Sequence, residues 1–299
     1  MKVLITGAKG MLGSALCPEL LKCGYKILAT DITFTSKDIT YLDIRDKKNV
    51  EDVFKDFKPD IVFHLAASTD VDRCENEREE AFNVNTLGTE NIVSFCTGTN
   101  INMVYISTAA VFDGRKKEPY TELDQPNPLN IYAKTKLEGE KIVQRILRKY
   151  FIVRAGWMIG GIDKDKKFVL KIIRQLQSKK EILAVTDKKG SPTFTKDLSK
   201  GLIELFPTQH YGLYHMANKG SCSRYDLAKL IVKLMGRDDV VVRPVSSDVF
   251  PLRAPRPDSE AIRNSKLEAL GMNNIRTWEE ALEEYITTIK QRGDLLNSL

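Results

Sequence analysis

A glycine-rich turn joins the first apolar run of the chain to its first helical pattern, in the stretch VLITGAKGMLGSAL at residues 3–16. Glycines in such a turn permit a tight bend, let a pyrophosphate approach backbone N–H groups, and allow the helix to pack closely on the strand. Glycine is also common in ordinary turns at strand ends, so the spacing alone does not decide the function. The predicted cofactor contacts in this turn are Gly7, Gly10, Met11, Leu12 and Gly13.

An acidic residue after the second apolar run sharpens this prediction. Asp31 follows Gly13 by 18 residues, close to the spacing of about 20 for an acid that binds the cofactor ribose. A carboxylate there accepts hydrogen bonds from the ribose hydroxyls and repels a 2′-phosphate, which favours NADH and leaves NADPH as the alternative cofactor. Asp43 and Ile44 lie at another strand end, where the nucleotide base could bind. A strand terminus followed by the helix cap Asp46 explains these two residues equally well.

Strand-like apolar runs alternate with helical patterns over the first half of the chain. Several runs are almost continuously apolar, as parallel strands covered by helices on both faces require. The alternation predicts an α/β fold with a Rossmann-like, doubly wound parallel sheet. We place an NAD(P)-binding domain at residues 1–163 and a smaller C-terminal substrate-binding lobe at residues 164–299, with segments near 191–218 as candidates for a return to the first domain.

A tyrosine and a lysine lie one helical turn apart in the stretch NPLNIYAKTKLEGEKI at residues 127–142. A phenol has an ordinary pKa near 10 and is a poor proton shuttle at neutral pH, unless a nearby cation stabilises its phenolate. Lys136 can supply that cation to Tyr132, because residues four apart share one face of a helix.

The same spacing occurs a second time, at Tyr225 and Lys229, so spacing alone does not select the site. Position favours Tyr132, because it follows a strand that carries Ser107 and Thr108 at its carboxyl end. Open α/β sheets bind their ligands at that end of the strands. Tyr225 has no such partner.

The GxxGxxG spacing of the glycines resembles the extended short-chain dehydrogenase/reductase family. The resemblance implies that Thr108 orients a substrate carbonyl, that Tyr132 transfers a proton, and that Lys136 lowers the tyrosine pKa and holds the nicotinamide ribose. The stretch HLAA resembles the family's cofactor-lining fourth-strand motif, and NVNTLGTENI carries a counterpart of the asparagine that fixes the active-site backbone. By the same resemblance, the cofactor also contacts Leu65, Ala66, Ala67, Asn85, Tyr132 and Lys136.

Over nearly its whole length the chain is similar to the dTDP-4-dehydrorhamnose reductases. The motifs are STDVDRCE, PLNIYAKTKLEGEK, RAGWMIGG, GSPTFTKDL and RPDSEAIRNSKL. The resemblance implies an enzyme that uses NAD(P)H to reduce the C4 keto group of a nucleotide-linked 4-keto-6-deoxy sugar, for dTDP-L-rhamnose or a related polysaccharide precursor. It also implies substrate contacts from Thr108, from Trp157 on the sugar and from Arg256 at the pyrophosphate. An ordinary core aromatic and a solvated surface arginine are the alternatives for the last two.

One motif departs from the reductase pattern. The chain has STAAVF where these reductases typically have STDYVF, so Ala109 and Ala110 bring no polar group to the sugar. Because the Ala-Ala version is similar to epimerases, a sugar-nucleotide epimerase or dehydratase is an alternative function. A non-catalytic NAD(P)-binding regulatory subunit, like the β subunit of methionine adenosyltransferase, is another, although the intact Thr108, Tyr132 and Lys136 argue against it.

Composition bears on the remaining classes of function. The net charge of +6 is spread along the chain, which does not favour a nucleic-acid partner. No apolar run reaches the length of a membrane span and the N-terminus lacks a secretory signal, so we expect no membrane partner and a cytoplasmic location. The cysteines form no CxxC pair, so no metal site is predicted. The predicted partner is a nucleotide-sugar substrate, and the sequence is compatible with a homodimer.

Overall fold

The computed structural model describes residues 1–33, 38–165 and 168–292. Residues 166, 167 and 293–299 of the predicted C-terminal lobe therefore lie outside the described residues. The strands are β1 (Lys2–Thr6), β2 (Lys26–Asp31), β3 (Thr40–Tyr41), β4 (Ile61–His64), β5 (Asn102–Thr108), β6 (Tyr150–Ala155), β7 (Trp157–Ile159), β8 (Glu181–Val185), β9 (Lys189–Gly190), β10 (Pro192–Phe194), β11 (Gly212–His215), β12 (Cys222–Ser223), β13 (Val241–Val245) and β14 (Ser259–Glu260). The helices are α1 (Met11–Lys22), α2 (Lys47–Phe57), α3 (Val71–Asn76), α4 (Arg78–Phe82), α5 (Gly88–Cys96), α6 (Ile131–Ile146), α7 (Phe168–Leu176), α8 (Thr195–Leu205), α9 (Arg224–Met235), α10 (Ser265–Ala269) and α11 (Trp278–Gln291).

Seven parallel strands form the central sheet, in the order β11-β6-β5-β4-β1-β2-β3. The order runs outward in both directions from β1, so the carboxyl ends of β1 and β4 meet where the winding direction changes. Ligands bind outside the carboxyl ends of the strands at such a switch point. The predicted α/β, Rossmann-like fold is confirmed.

Helices cover both faces of this sheet, which explains why its strands are apolar on both sides. On one face, α1 and α8 pack together through a core that contains Leu16 and Leu202. On the other face lie α2, α5 and α6, with Val53, Ile92 and Val143 in the core. Both layers withdraw apolar side chains from water, and this burial stabilises the sheet.

A smaller lobe is built around the parallel pair β8 and β13. Helices α7, α9 and α11 pack on it through a separate core, represented by Ile173, Ile182, Leu227, Ile231 and Leu282. Between the parts of this lobe the chain returns to the large sheet, because α8 packs on α1 and β11 pairs with β6. The domain boundary at residue 163 stays a prediction.

The helical stretch between β4 and β5 is less regular than one continuous helix. Residues Asn83–Leu87 form a π-helical turn between α4 and α5. Such turns occur frequently at functional sites, because they displace side chains from the regular helical register. Here the turn contains Asn85, which is buried beside α6.

Two classes of feature are absent from the part of the chain that the structure describes. No helix there is long and apolar enough to cross a membrane. The same residues contain no group of three or more His, Cys, Asp or Glu side chains that could hold a metal ion.

Candidate active site

A cleft of about 1540 Å³ opens at the carboxyl ends of the large sheet and extends to the smaller lobe. Pockets for one small molecule commonly measure about 300–1,000 Å³, so this cleft has room for a dinucleotide and a second ligand. Nearly all residues predicted from the sequence as site residues line it. They are Gly7, Gly10, Met11, Leu12, Gly13, Asp31, Asp43, Ile44, Leu65, Ala66, Ala67, Thr108, Tyr132, Lys136, Trp157 and Arg256.

The glycine turn at one end of the cleft has no room for side chains. Gly7 has a φ of +68°, and a Cβ atom there would lie 2.7 Å from the backbone nitrogen of Ala66. A Cβ atom on Gly13 would lie 2.5 Å from the carbonyl oxygen of Ala8. Gly10 caps α1 without a side-chain hydrogen bond, so no side chain of the cap occupies the first N–H groups of the helix. The turn therefore fits the pyrophosphate of a dinucleotide, which these N–H groups can bind.

Asp31 is held in place at the carboxyl end of β2. Its two carboxylate oxygens accept hydrogen bonds from the backbone nitrogens of Lys9 and Thr33, each at 3.0 Å. Each carboxylate oxygen can accept more than one hydrogen bond. The fixed carboxylate can therefore still accept hydrogen bonds from ribose hydroxyls in the cleft.

Asp43 and Ile44 lie on the same wall as Asp31, with different environments. Arg45 bridges the carboxylates of Asp43 and Glu80, at 2.7 Å to each, and its hydrogen bond to Asp43 lowers the pKa of that carboxyl. Ile44 is buried against Gly88, where an added Cβ would come within 2.7 Å of it. Ile44 thus offers an apolar surface and Asp43 a charged one, as the binding of a base and a ribose would require.

His64 belongs to a buried chain of hydrogen bonds beneath the cleft. Its Nδ1 lies 2.8 Å from Oγ1 of Thr6, and its Nε2 lies 3.1 Å from Oγ1 of Thr89. Burial, with a smaller contribution from the charge of Lys136, lowers the pKa of His64 to about 3, so the ring is neutral at ordinary pH. Thr6 also accepts from the backbone nitrogens of Leu65 and Ala66. His64 therefore supports the backbone that lines the cleft.

Asn85 is the predicted cofactor contact that does not line the cleft. Its Oδ1 accepts from the backbone nitrogen of Ser68 at 2.8 Å, and its Nδ2 donates to the Ser68 carbonyl and, at 2.9 Å, to Oγ1 of Thr135. Thr135 lies between Tyr132 and Lys136 on α6. Asn85 thus connects the backbone after β4 to α6, and this geometry favours positioning over direct contact with a cofactor.

Thr108, Tyr132 and Lys136 all line the cleft. Thr108, at the end of β5, acts on the phenol of Tyr132 and lowers its pKa, against the larger effect of burial. Burial raises the pKa of Tyr132 to about 12 and lowers that of Lys136 to about 7, and the charge of Glu140 opposes the second effect. The Nζ atom of Lys136 lies 4.0 Å from the centre of the Tyr105 ring. The phenol is therefore a protonated group at neutral pH, ready to donate.

The structure separates the two hydroxyls at the end of β5. Ser107 donates to Glu140 at 2.5 Å, whereas Thr108 contacts Tyr132. It also separates the two alanines that follow, because Ala110 lines the cleft and Ala109 is buried in the core with Phe112. Only one of the two departures from the reductase pattern therefore affects the wall of the site.

Trp157, also on the cleft wall, is held by two residues that the sequence did not indicate. Its Nε1 donates to Glu260 at 2.5 Å, and the guanidinium carbon of Arg224 lies 3.6 Å from the centre of its ring. Burial lowers the pKa of Arg224 to about 10 and raises that of Glu260. Arg224 makes no ion pair within the described ranges, although it lines the cleft as a cation at neutral pH. It can therefore receive an anionic group of a ligand.

Arg256 lines the cleft, but its guanidinium already makes hydrogen bonds within the protein. Its guanidinium donates to Asp72 at 2.9 Å and to the carbonyl of Ala254 at 2.7 Å. Nearby, Nδ2 of Asn130, the residue that caps α6, donates to the carbonyl of Pro255. This loop of the smaller lobe is thus fastened to α3 and to the helix that carries Tyr132.

The second tyrosine and lysine pair lies elsewhere. Tyr225 and Lys229 are on α9, where Nζ of Lys229 lies 5.4 Å from the centre of the Tyr225 ring. Neither residue lines the cleft, and Tyr225 packs against the core of the smaller lobe. The two pairs are therefore a natural comparison, with equal spacing and different surroundings.

Comparisons with known proteins agree with this arrangement. The family described as "RmlD substrate binding domain" matches residues 1–291. The spore coat polysaccharide biosynthesis protein SpsK of Bacillus subtilis is 35% identical, over 95% of this chain and 96% of its own. The crystal structure of a dTDP-4-dehydrorhamnose reductase from Clostridium acetobutylicum is similar with a TM-score of 0.91 and 38% identity, over 97% of this chain and 100% of that one. A dTDP-4-dehydrorhamnose reductase from Bacillus anthracis in complex with NADP has a TM-score of 0.89 and 37% identity, over 96% and 99% of the two chains.

Proposed function

Because the chain belongs to the RmlD substrate binding domain family, we propose that it reduces the C4 keto group of a dTDP-linked 4-keto-6-deoxy sugar in the manner of the dTDP-4-dehydrorhamnose reductases. It is an NAD(P)H-dependent oxidoreductase. The observation that carries the proposal is that Thr108, Tyr132 and Lys136 line the same cleft as the glycine turn and Trp157. A hydride donor bound at the turn and a sugar bound at the tryptophan would share this cleft with the three side chains.

The glycine turn, Asp31, Leu65 and Ala66 would hold the nicotinamide cofactor, which supplies the hydride for C4. Tyr132 then donates its proton to the oxygen that becomes an alkoxide, and Thr108 stabilises that oxygen by a hydrogen bond. An alkoxide is a much stronger base than a phenolate, so a phenol whose pKa is about 12 still transfers its proton readily. Lys136, when protonated, stabilises the phenolate that remains.

The substrate would place its diphosphate near Arg224 and its sugar against Trp157. Arg224 lines the cleft together with Lys188 and Arg256. Lys188 pairs with Asp258 at 2.6 Å and Arg256 with Asp72 at 2.9 Å, so Arg224 is the member of this group without an ion pair among the described residues. Glu260 fixes the indole through its hydrogen bond to Nε1. Binding energy from the nucleotide, remote from C4, would orient the keto group towards Tyr132.

The proposal is tested by the loss of absorbance at the NADH band with a panel of nucleotide-linked 4-keto sugars. We expect stoichiometric oxidation of NADH with the dTDP-linked 4-keto-6-deoxy sugar. Cofactor that copurifies and is regenerated in each turnover would instead indicate an epimerase or dehydratase, which the apolar Ala110 on the cleft wall leaves as the second candidate. Turnover with none of the sugars, together with copurification of a synthetase subunit, would indicate a regulatory role.

NADH is proposed as the preferred cofactor, with NADPH as a second substrate. The support is Asp31, whose carboxylate is fixed on the cleft wall and would repel a 2′-phosphate. An Asp31→Asn variant removes this charge and is expected to raise the ratio of kcat/KM for NADPH to that for NADH by about tenfold. The ratio is measured by initial rates with each cofactor.

Asp46→Asn is the matched control, because Asp46 caps α2 outside the cleft and the substitution removes the same charge. Its cofactor ratio should equal that of the unmodified enzyme. An Asp31→Asn enzyme with an unchanged ratio would show that Asp31 does not set the cofactor preference.

A further inference from the structure

Tyr132, Lys136 and Glu140 lie on successive turns of α6, and the mechanism above uses only the first two. Glu140 does not line the cleft, and 1% of its surface is exposed. A buried carboxylate on the face of a helix that carries reacting groups is costly unless it is fully paired. The proposed mechanism does not explain why the carboxylate of Glu140 is buried on this face of the helix.

The carboxylate of Glu140 connects three elements at the centre of the sheet. It accepts from Nε and Nη2 of Arg154 on β6, at 2.9 and 2.7 Å. It also accepts from the hydroxyl of Ser107 on β5, at 2.5 Å. Ser107 is followed directly by Thr108, so Glu140 ties the helix of Tyr132 to the strand end that carries Thr108.

We infer that Glu140 and Arg154 are positioning residues for the reaction: they lock α6 to the end of β5 and set the charge felt by Lys136. The inference rests on the proposed role of Lys136. Neither residue touches the cleft, so each acts through others. The buried ion pair would then persist because it arranges the site, since buried pairs in general contribute little net stability.

Among the described groups around Lys136, Glu140 is the one whose charge affects the pKa of the lysine. The titratable or charged groups that face Lys136 are His64 on β4, Tyr105 on β5, and Tyr132 and Glu140 on α6. His64 is neutral and the two phenols are protonated, so Glu140 is the anion of this set. Its charge raises the pKa of Lys136 against the effect of burial, and Arg154 moderates that charge.

Two single variants should consequently act in opposite directions. Glu140→Gln leaves Arg154 as an unbalanced cation and lowers the pKa of Lys136, so the alkaline limb of the kcat/KM profile moves to lower pH by about one unit. Arg154→Met removes the cation that moderates the charge of Glu140, so this charge raises the pKa of Lys136 further. The alkaline limb of the kcat/KM profile should then move to higher pH by a similar amount. The conservative Arg154→Lys should return the limb towards its original position. A merely structural role predicts loss of activity with no such opposed shifts.

A readout without turnover separates this inference from the proposed function. The pH at which Lys136 titrates is also obtained from the difference in Tm between each protein and its derivative that carries Lys136→Met in addition. Glu140→Gln and Arg154→Met should move this pH in opposite directions even if no sugar is reduced. Absence of turnover in the unmodified enzyme would count against the proposed function alone.

Asp197→Asn is the matched control for the loss of an ion pair. Asp197 is buried, pairs with Arg276 at 3.1 Å, and does not line the cleft. This variant should lower Tm and leave both pH profiles unchanged. Shifts of the same sign in Glu140→Gln and Arg154→Met, or no shift in either, would overturn the inference.

Discussion

A Tyr132→Phe variant is expected to lose a factor of about 10²–10⁴ in kcat, the usual contribution of a positioned general acid. The substitution removes the donated proton and keeps the ring, so the helix and the cleft wall should stay intact. Among the described residues, Thr108 acts on the hydroxyl of Tyr132. We therefore expect cofactor affinity and Tm close to those of the unmodified enzyme. Steady-state kinetics, NADH fluorescence titration and thermal unfolding measure the three quantities.

Tyr225→Phe provides the control for Tyr132→Phe. Tyr225 has the same spacing to its lysine but packs in the smaller lobe, outside the cleft. Removal of the Tyr225 hydroxyl should leave kcat within a factor of about two, because the substitution is conservative and lies outside the cleft. Near-normal turnover in Tyr132→Phe would disprove the assignment of Tyr132 as the proton donor.

The geometry of the glycine turn was predictable because its determinants are local. A turn that needs a positive φ at Gly7 and backbone contact at Gly13 leaves glycines at fixed spacing, whatever the rest of the chain does. The position of Tyr132 on the first turn of α6 was equally local, since Asn130 caps that helix. Parallel strands then bring both to the same edge of the sheet.

The environment of Tyr132 differed from expectation, because it depends on packing. The sequence predicted that Lys136 lowers the pKa of the tyrosine, whereas burial dominates and raises it to about 12. Burial also brings the pKa of Lys136 itself down to about 7. Spacing along a helix shows which groups are neighbours, but desolvation depends on the strands and loops that cover them.

The part of the cleft around Trp157 was only partly predictable, because its residues come from distant segments. Glu260 on β14 and Arg224 on α9 converge on Trp157 only in the folded chain. One local signal did exist for Arg224. It is the first residue of a helix with a capping box formed by Ser223 and Asp226, and a cation is unfavourable at a helix N-terminus. A cation in that position suggests a role outside the helix.

A Lys136→Met variant is expected to be inactive and yet more stable than the unmodified protein in the absence of cofactor. Burial lowers the folded-state pKa of Lys136 from 10.5 to about 7, and it makes no ion pair in the part of the chain described by the structure. Holding this amine in the fold costs on the order of a few kcal/mol near neutral pH, so its replacement should raise Tm by roughly 5 °C. Methionine preserves the length of the stem and fills the same space.

The pH dependence of this gain distinguishes the buried cation from a simple packing effect. A lowered folded-state pKa means that the unfolded chain binds more protons between about pH 7 and the ordinary lysine pKa, so the cost is full below that window and disappears as pH rises through it. The Tm gain of Lys136→Met should consequently be largest at about pH 6–7 and approach zero near pH 10. Lys134→Met, an exposed position on the same helix, should give no such pH-dependent gain. A Tm gain in Lys136→Met that is constant with pH would indicate improved packing. It would contradict the idea that the buried charge of Lys136 destabilises the fold.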